Sequence, residues 1–117
     1  MECALPSHKK VWGREIWIVN EPEYCGKFLC INRNAQSSMH YHKTKKETFY
    51  CLKGWVTLRL DGKDYTLSPR SEPKTVLPNK KHQFLGITDA VILEISTHHS
   101  EKDVVRLAPS KSNIYKS

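Results

Sequence analysis

No stretch of this 117-residue chain stays apolar for long. No run exceeds the length of Ala90 to Leu93, which stops at Glu94, far short of the roughly 20 apolar residues of a membrane-spanning helix. The opening Met-Glu-Cys-Ala-Leu-Pro lacks a basic segment followed by an apolar one, so no secretory signal is read and a cytoplasmic protein is expected. The four cysteines, Cys3, Cys25, Cys30 and Cys51, form no CxxC pair and match no zinc spacing. In a reducing compartment they are expected to remain thiols, with Cys30 and Cys51 acting as small hydrophobes in strand-like runs. No window carries an apolar stripe at helical spacing, and there is no internal repeat or low-complexity tract. These absences exclude a helical membrane protein, a repeat array and a cysteine-held zinc module.

What remains is a chain of one domain's length, long enough to close one barrel or sandwich and too short for a second lobe. Its net charge is +7, from 19 Lys+Arg against 12 Asp+Glu. Such a balance attracts nucleic acid, acidic membrane or phosphorylated substrates. The basic residues are spread along the chain and do not interleave with aromatics as a nucleic-acid platform would, so they read as a solvated lysine-rich surface. Neither nucleic acid nor membrane is expected as a partner. The exceptions are Lys45–Lys46 and Lys80–Lys81, which flank the site described next.

Short β-branched and aromatic runs alternate with turn residues. Strands are expected over 15–19, 27–31, 48–52, 56–60, 65–67, 75–77, 83–85 and 91–96. Val56, Leu58 and Leu60 alternate with Thr57, Arg59 and Asp61, the period of a half-buried strand, and Asp61-Gly62 then signals a tight hairpin. Residues 68–73 read as a loop with two prolines. The first ten residues and the polar tail 108–117 are expected to be loose around a core of about 11–107. Many short strands in one small chain imply an all-β barrel or sandwich.

The densest chemistry lies in Met39-His40-Tyr41-His42-Lys43-Thr44-Lys45-Lys46-Glu47. Residues two apart on a strand share a face, so His40 and His42 project together, and Glu47 returns to them after a turn. His82, after the Pro78-Asn79 turn, is the fourth candidate. Two histidines alone would be unremarkable on a surface; the carboxylate and the third imidazole make a ligand set. Three imidazoles and a carboxylate suit one divalent ion: Mn, Fe, Co, Ni or Zn. Lys27 alternates with Leu29 and Ile31, which places it either at a barrel mouth, to bind phosphate or carboxylate, or at a strand edge. Arg14 is set beside it as a second basic candidate for substrate binding. Trp12, Trp17 and Trp55 read as barrel-end packing or sugar-stacking faces. His98 and His99 follow the last strand and are not read as ligands.

These residues resemble the cupin motifs. His40, His42, Glu47 and Gly54 match the first motif, HxH, three or four residues, Glu, six residues, Gly. Leu77 to Phe84 is similar to the second, PxGxxH followed by an aromatic, with His82 as its ligand. Asn34 and Asn79 stand where the motifs carry Gly, and Asn is the residue that best tolerates the left-handed backbone those turns need. The resemblance implies an all-β cupin-type jelly-roll (double-stranded β-helix) barrel, one divalent metal ion and a homodimer in which the apolar first strand, with Trp17, is exchanged or packed across the two-fold. His40-x-His42-x-x-Lys45-x-Glu47 further resembles the HxHxxKxE signature of lyxose-type sugar isomerases. That implies an isomerase or epimerase of a sugar or sugar phosphate working by metal-chelated enediolate chemistry, with Lys45 and Glu47 as catalytic groups. The alternatives are a non-catalytic sugar- or metabolite-binding cupin and an Fe(II)-dependent oxygenase, since cupin folds host both.

Overall fold

The protein is described here by a computed structural model over residues 5–116; Cys3 lies outside this range. Its strands are β1 (Ser7–Lys10), β2 (Gly13–Asn20), β3 (Cys25–Ile31), β4 (Met39–His42), β5 (Glu47–Lys53), β6 (Val56–Leu60), β7 (Lys63–Leu67), β8 (Lys74–Val76), β9 (His82–Gly86), β10 (Ala90–Ser96) and β11 (Val104–Ala108). The one helical element among the described residues is a 3-10 turn, Glu101–Asp103. A six-stranded sheet runs β1-β2-β3-β10-β5-β8, and a five-stranded sheet runs β11-β4-β9-β6-β7. All pairings are antiparallel. The two sheets close into the jelly-roll barrel of cupin type. Cys25, Cys30 and Cys51 are free thiols, and Cys25 and Cys51 are buried.

The ends depart from expectation. The sequence Ser-His-Lys-Lys has no alternation to reveal β1, which is held by backbone pairing with β2 rather than by burial. β11 pairs with β4, and beyond it Lys111 and Gln36 exchange two backbone hydrogen bonds of 2.8 Å. The Ile114 N–H then donates to the Asn34 carbonyl at 2.9 Å, so the polar tail is sewn onto the barrel.

Turn chemistry follows the residues. Asp61 and Gly62 both take positive φ, 51° and 85°, joining β6 to β7 with Leu60 opposite Lys63. Asn34 and Asn79 stand at φ 64° and 67°, the left-handed conformation for which Asn substitutes for Gly. Gly54, at φ 81°, turns β5 into β6 where a Cβ would lie 2.2 Å from the Asp89 carbonyl oxygen. Gly62 has open space around it. Gly54→Ala is therefore expected to cost about 3 kcal/mol or more, from backbone strain plus a main-chain clash, and Gly62→Ala only about 1 kcal/mol. Paired urea melts of the two variants measure the difference.

Inward residues change character along the strands. In β3, Leu29 and Ile31 point into the apolar end while Cys25 and Lys27 point into the other; β10 repeats this with Ile92 and Ala90 against Ser96 and Glu94. Hydrocarbon from Leu29, Ile31, Phe49, Leu58, Phe84 and Ile92 forms the core. Above it the barrel is lined by charge.

Candidate metal centre

Register brings the histidines together. His40 on β4 is directly opposite His82 on β9, and their ring centroids are 4.4 Å apart. His42, two residues along β4, shares that face, and the nitrogens of the three rings lie within 4.8 Å of one another. Glu47, first residue of β5, comes from the opposite sheet. Its Oε1 is 3.3 Å from His42 Nε2 and its Oε2 is 3.1 Å from His82 Nε2. The structure thus gathers the three histidines into one cluster and sets Glu47 against two of them, His42 and His82.

Hydrogen bonds set which nitrogens face that point. His40 Nδ1–H donates to the Ser38 carbonyl and His82 Nδ1–H to the Lys80 carbonyl, both at 2.9 Å. A carbonyl only accepts, so each ring carries its proton on Nδ1 and turns an Nε2 lone pair inward, as a metal requires. The backbone around the ligands is also fixed: the Asn79 N–H donates to the His42 carbonyl at 2.7 Å. Asp103 clamps the turn between β4 and β5 by accepting from Thr44 N, Thr44 Oγ1 and Lys45 N at 2.8, 2.9 and 3.0 Å.

The residues fit a metal ion. Glu47 Oε2 and His82 Nε2 are buried and close, yet neither makes an aligned hydrogen bond; His42 Nδ1, also without one, faces Asp103 instead, 3.8 Å from its Oδ2. Orphaned buried polar atoms are costly and call for a partner. Donors bound about 2.0–2.1 Å from one ion stand roughly 3 Å apart when adjacent, which is the spacing of these two atoms. Burial, with His82 beside it, holds His40 far below its usual pKa, at about 3, so its imidazole is neutral. Burial raises Glu47, but His42, His82 and the Lys45 ammonium outweigh it and hold the carboxyl well below its usual range. Neutral imidazoles and an ionised carboxylate are the ligating forms.

Lys45 is buried on the far side of Glu47. Its ammonium reaches Glu47 Oε1 at 3.2 Å, Glu94 Oε2 at 2.7 Å and His99 Nδ1 at 2.9 Å, which occupies all three donors. Burial lowers its pKa, but Glu94 and Glu47 more than reverse this, so it stays cationic. His99, accepting at Nδ1, carries its proton on Nε2 and donates to Glu101 Oε1 at 3.1 Å. Burial next to Lys45 and Lys27 holds His99 down to about 4.

Glu94 escaped the sequence reading, and His99 was set aside in it as lying beyond the last strand. Glu94 had a signal, a carboxylate on the same face of β10 as Ile92 and Ala90. His99 had none, because its place in the wall is set by two hydrogen bonds with the Asn20 side chain. Lys27 does face the barrel interior, directly across from Glu94 in register, and is 1 % exposed. Its Nζ lies 4.2 Å over the Trp17 ring and 3.8 Å from Glu15 Oε1. Arg14 is exposed on β2, next to inward-facing Glu15 and therefore on the opposite face, and the structure does not bring it to the site. Trp12 lines the cavity, Trp17 packs under Lys27, and Trp55 is exposed. His98 is likewise outside, exposed, with its Nδ1–H donating to the Glu21 carbonyl at 3.0 Å.

A cavity of about 190 Å³ opens over these groups, lined by Leu29, Phe49 and Phe84 as well as by Lys27, Glu94, Glu47 and the three histidines. It is smaller than the 300–1,000 Å³ typical of drug-sized sites, so its occupant is of monosaccharide size or less.

Comparison with known proteins agrees with the fold. A cupin-domain family profile matches residues 27–71. KdgF from Halomonas sp. superposes with a TM-score of 0.69 at 16% identity, over 76% of this chain and 81% of that one. Pac13 from Streptomyces, a nucleoside dehydratase seen with uridine, gives 0.76 at 14% identity over 89% and 84%. The capsular polysaccharide assembling protein CapF from Staphylococcus aureus gives 0.79 at 18% identity, over 92% of this chain but only 35% of its own. No curated protein sequence matches. Together the profile and the superpositions support the cupin superfamily and show its barrel.

Proposed function

We propose that this protein is a divalent-metal-dependent isomerase or epimerase of a small sugar or sugar phosphate. The observation that carries the reading is the set His40, His42, Glu47 and His82 turned into a solvent-reachable cavity with its ligating lone pairs free of hydrogen bonds. When bound there, a divalent ion supplies Lewis acidity to adjacent sugar oxygens. The chain's own groups do the rest. Lys45 pins Glu47 Oε1, which leaves Oε2 to ligate or to take a proton from the substrate carbon. Leu29, Phe49 and Phe84 exclude water from one wall, and Lys27 faces the substrate from the other. Likeness to a uridine-bound protein and to one that assembles capsular polysaccharide supports a ligand containing a sugar.

In deuterated buffer with Mn or Co and no oxygen, aldose and ketose phosphates are expected to exchange a proton at C1 or C2, read by NMR, and to stop doing so in EDTA. Oxygen uptake with ferrous iron and no exchange would establish an oxygenase instead. A second reading, a sugar-binding module without turnover, is favoured by one observation: Lys45 has no donor left for a substrate. Binding without exchange in any condition would select it.

The same proposal includes a cytoplasmic homodimer. No helix among the described residues is long and apolar enough to cross a membrane. Strand exchange through β2 is not what the structure offers, because β2 is paired on both edges and Trp17 faces inward. The outer face of the six-stranded sheet is apolar instead: Ile16, Phe28, Leu93 and Tyr50 form one cross-strand row, beside exposed Ile18 and Ile95. A dimeric mass at micromolar concentration is expected from sedimentation.

A further inference from the structure

Charge in the cavity wall balances only while the metal is left out. Its lining holds four cations, Lys10, Lys27, Lys45 and Arg106, and four carboxylates, Glu15, Glu47, Glu94 and Glu101. Three of the cations are accounted for or open to water: Lys45 is fully bonded, Arg106 pairs with Glu101 at 3.0 Å, and Lys10 lies in the edge strand β1. Lys27 differs. It is 1 % exposed, yet among the described residues no acceptor lies within hydrogen-bond distance of its Nζ. The nearest carboxylate oxygen, Glu15 Oε1 at 3.8 Å, already accepts from Trp17 Nε1 at 3.0 Å. A buried ammonium with three idle donors is a binding group awaiting an oxygen. A divalent ion on the histidines then adds two further positive charges that the wall does not compensate.

We propose that the ligand is anionic, with an oxyanion group, carboxylate or phosphoryl, seated on Lys27 while its other oxygens face the metal centre. This deepens the proposed function and rests on the metal reading. Glu15 and Glu94 flank Lys27 on either side and reject a second negative group, so the subsite takes one oxyanion. Hydroxyls between the two poles find acceptors in the same carboxylates. The apolar wall of Leu29, Phe49 and Phe84 offers nothing to a charge, which leaves Lys27 as the buried anchor away from the metal.

Calorimetry on the manganese-loaded protein tests this with two matched pairs: gluconate against glucitol for a carboxylate, and glucose 6-phosphate against glucose for a phosphoryl group. One anionic member is expected to bind at least tenfold tighter than its neutral partner. Lys27→Met should erase that ratio while manganese affinity stays within about twofold, which also reports that the variant is folded. Should Lys27→Met fail to fold, Glu15→Gln removes a competing carboxylate and should raise the ratio several-fold. Equal affinity for charged and neutral partners, no binding of either anion, or a ratio untouched in both variants overturns the proposal. Failure of the wild type to bind manganese overturns the metal reading beneath it instead.

Discussion

Lys45→Met is expected to destabilise the fold by about 3–5 kcal/mol, the usual cost of removing one partner from a buried ion pair. The reason is the company Lys45 keeps. Glu47 and Glu94 are both buried, at 3 % and 4 % exposure, and among the described residues the ammonium is the one cation touching both. Without it, Glu94 retains only the Ser96 hydroxyl, which donates at 2.8 Å, and two carboxylates face each other across a low-dielectric wall. His99 loses its Nδ1 donor at the same time. Lys45→Met/Glu94→Leu is expected to recover much of the loss, because an apolar pair of similar volume replaces charges that no longer need solvating. Saturating zinc should recover part of it in the single variant, since a ligand that binds the native state stabilises that state and supplies positive charge beside Glu47. Urea unfolding of wild type, single and double variants, with and without zinc, closes the cycle. A single variant as stable as wild type would show that the ammonium does not hold the two acids.

The His40→Ala/His42→Ala variant is expected to lose zinc or manganese affinity by at least a hundredfold, about 2.7 kcal/mol, with calorimetry and metal analysis of the purified protein as readouts. Two of four donors vanish, and the remaining His82 and Glu47 cannot enclose an ion. Unlike Lys45, His40 is neutral and its Nδ1–H bond to the Ser38 carbonyl is local. Stability measured in EDTA should therefore fall far less than in Lys45→Met. Metal-dependent stabilisation, present in wild type, should vanish. Undiminished metal affinity in the double variant would place the ion elsewhere or nowhere on this face.

The two outcomes separate site from scaffold. Lys45 lies in a signature that, by its resemblance, suggested proton transfer, yet its geometry is that of a three-way clamp. A base must have a lone pair and a path to substrate, and an ammonium bonded to Glu47, Glu94 and His99 has neither. Lys27 offered a weaker signal in the sequence and proves the better-placed cation, buried with its donors unspent.

Local order in this protein is written locally. Period-two alternation in Val56–Leu60, the Asp61-Gly62 turn, and asparagines standing at φ 64° and 67° are properties of neighbouring residues, so they were legible without the fold. So was the grouping of His40, His42 and Glu47, because strand pleat and turn length alone put them together. The lysine-rich β1 and the tail bonded to Asn34 and Gln36 left no such trace, since backbone pairing at a sheet edge needs no particular side chain. The wall facing the histidine cluster was decided by register between distant strands. That register sets Glu94 opposite Lys27, and the pleat turns Arg14 outward by one step. A single-residue slip would have exchanged every one of those partners while leaving each strand's own pattern unchanged.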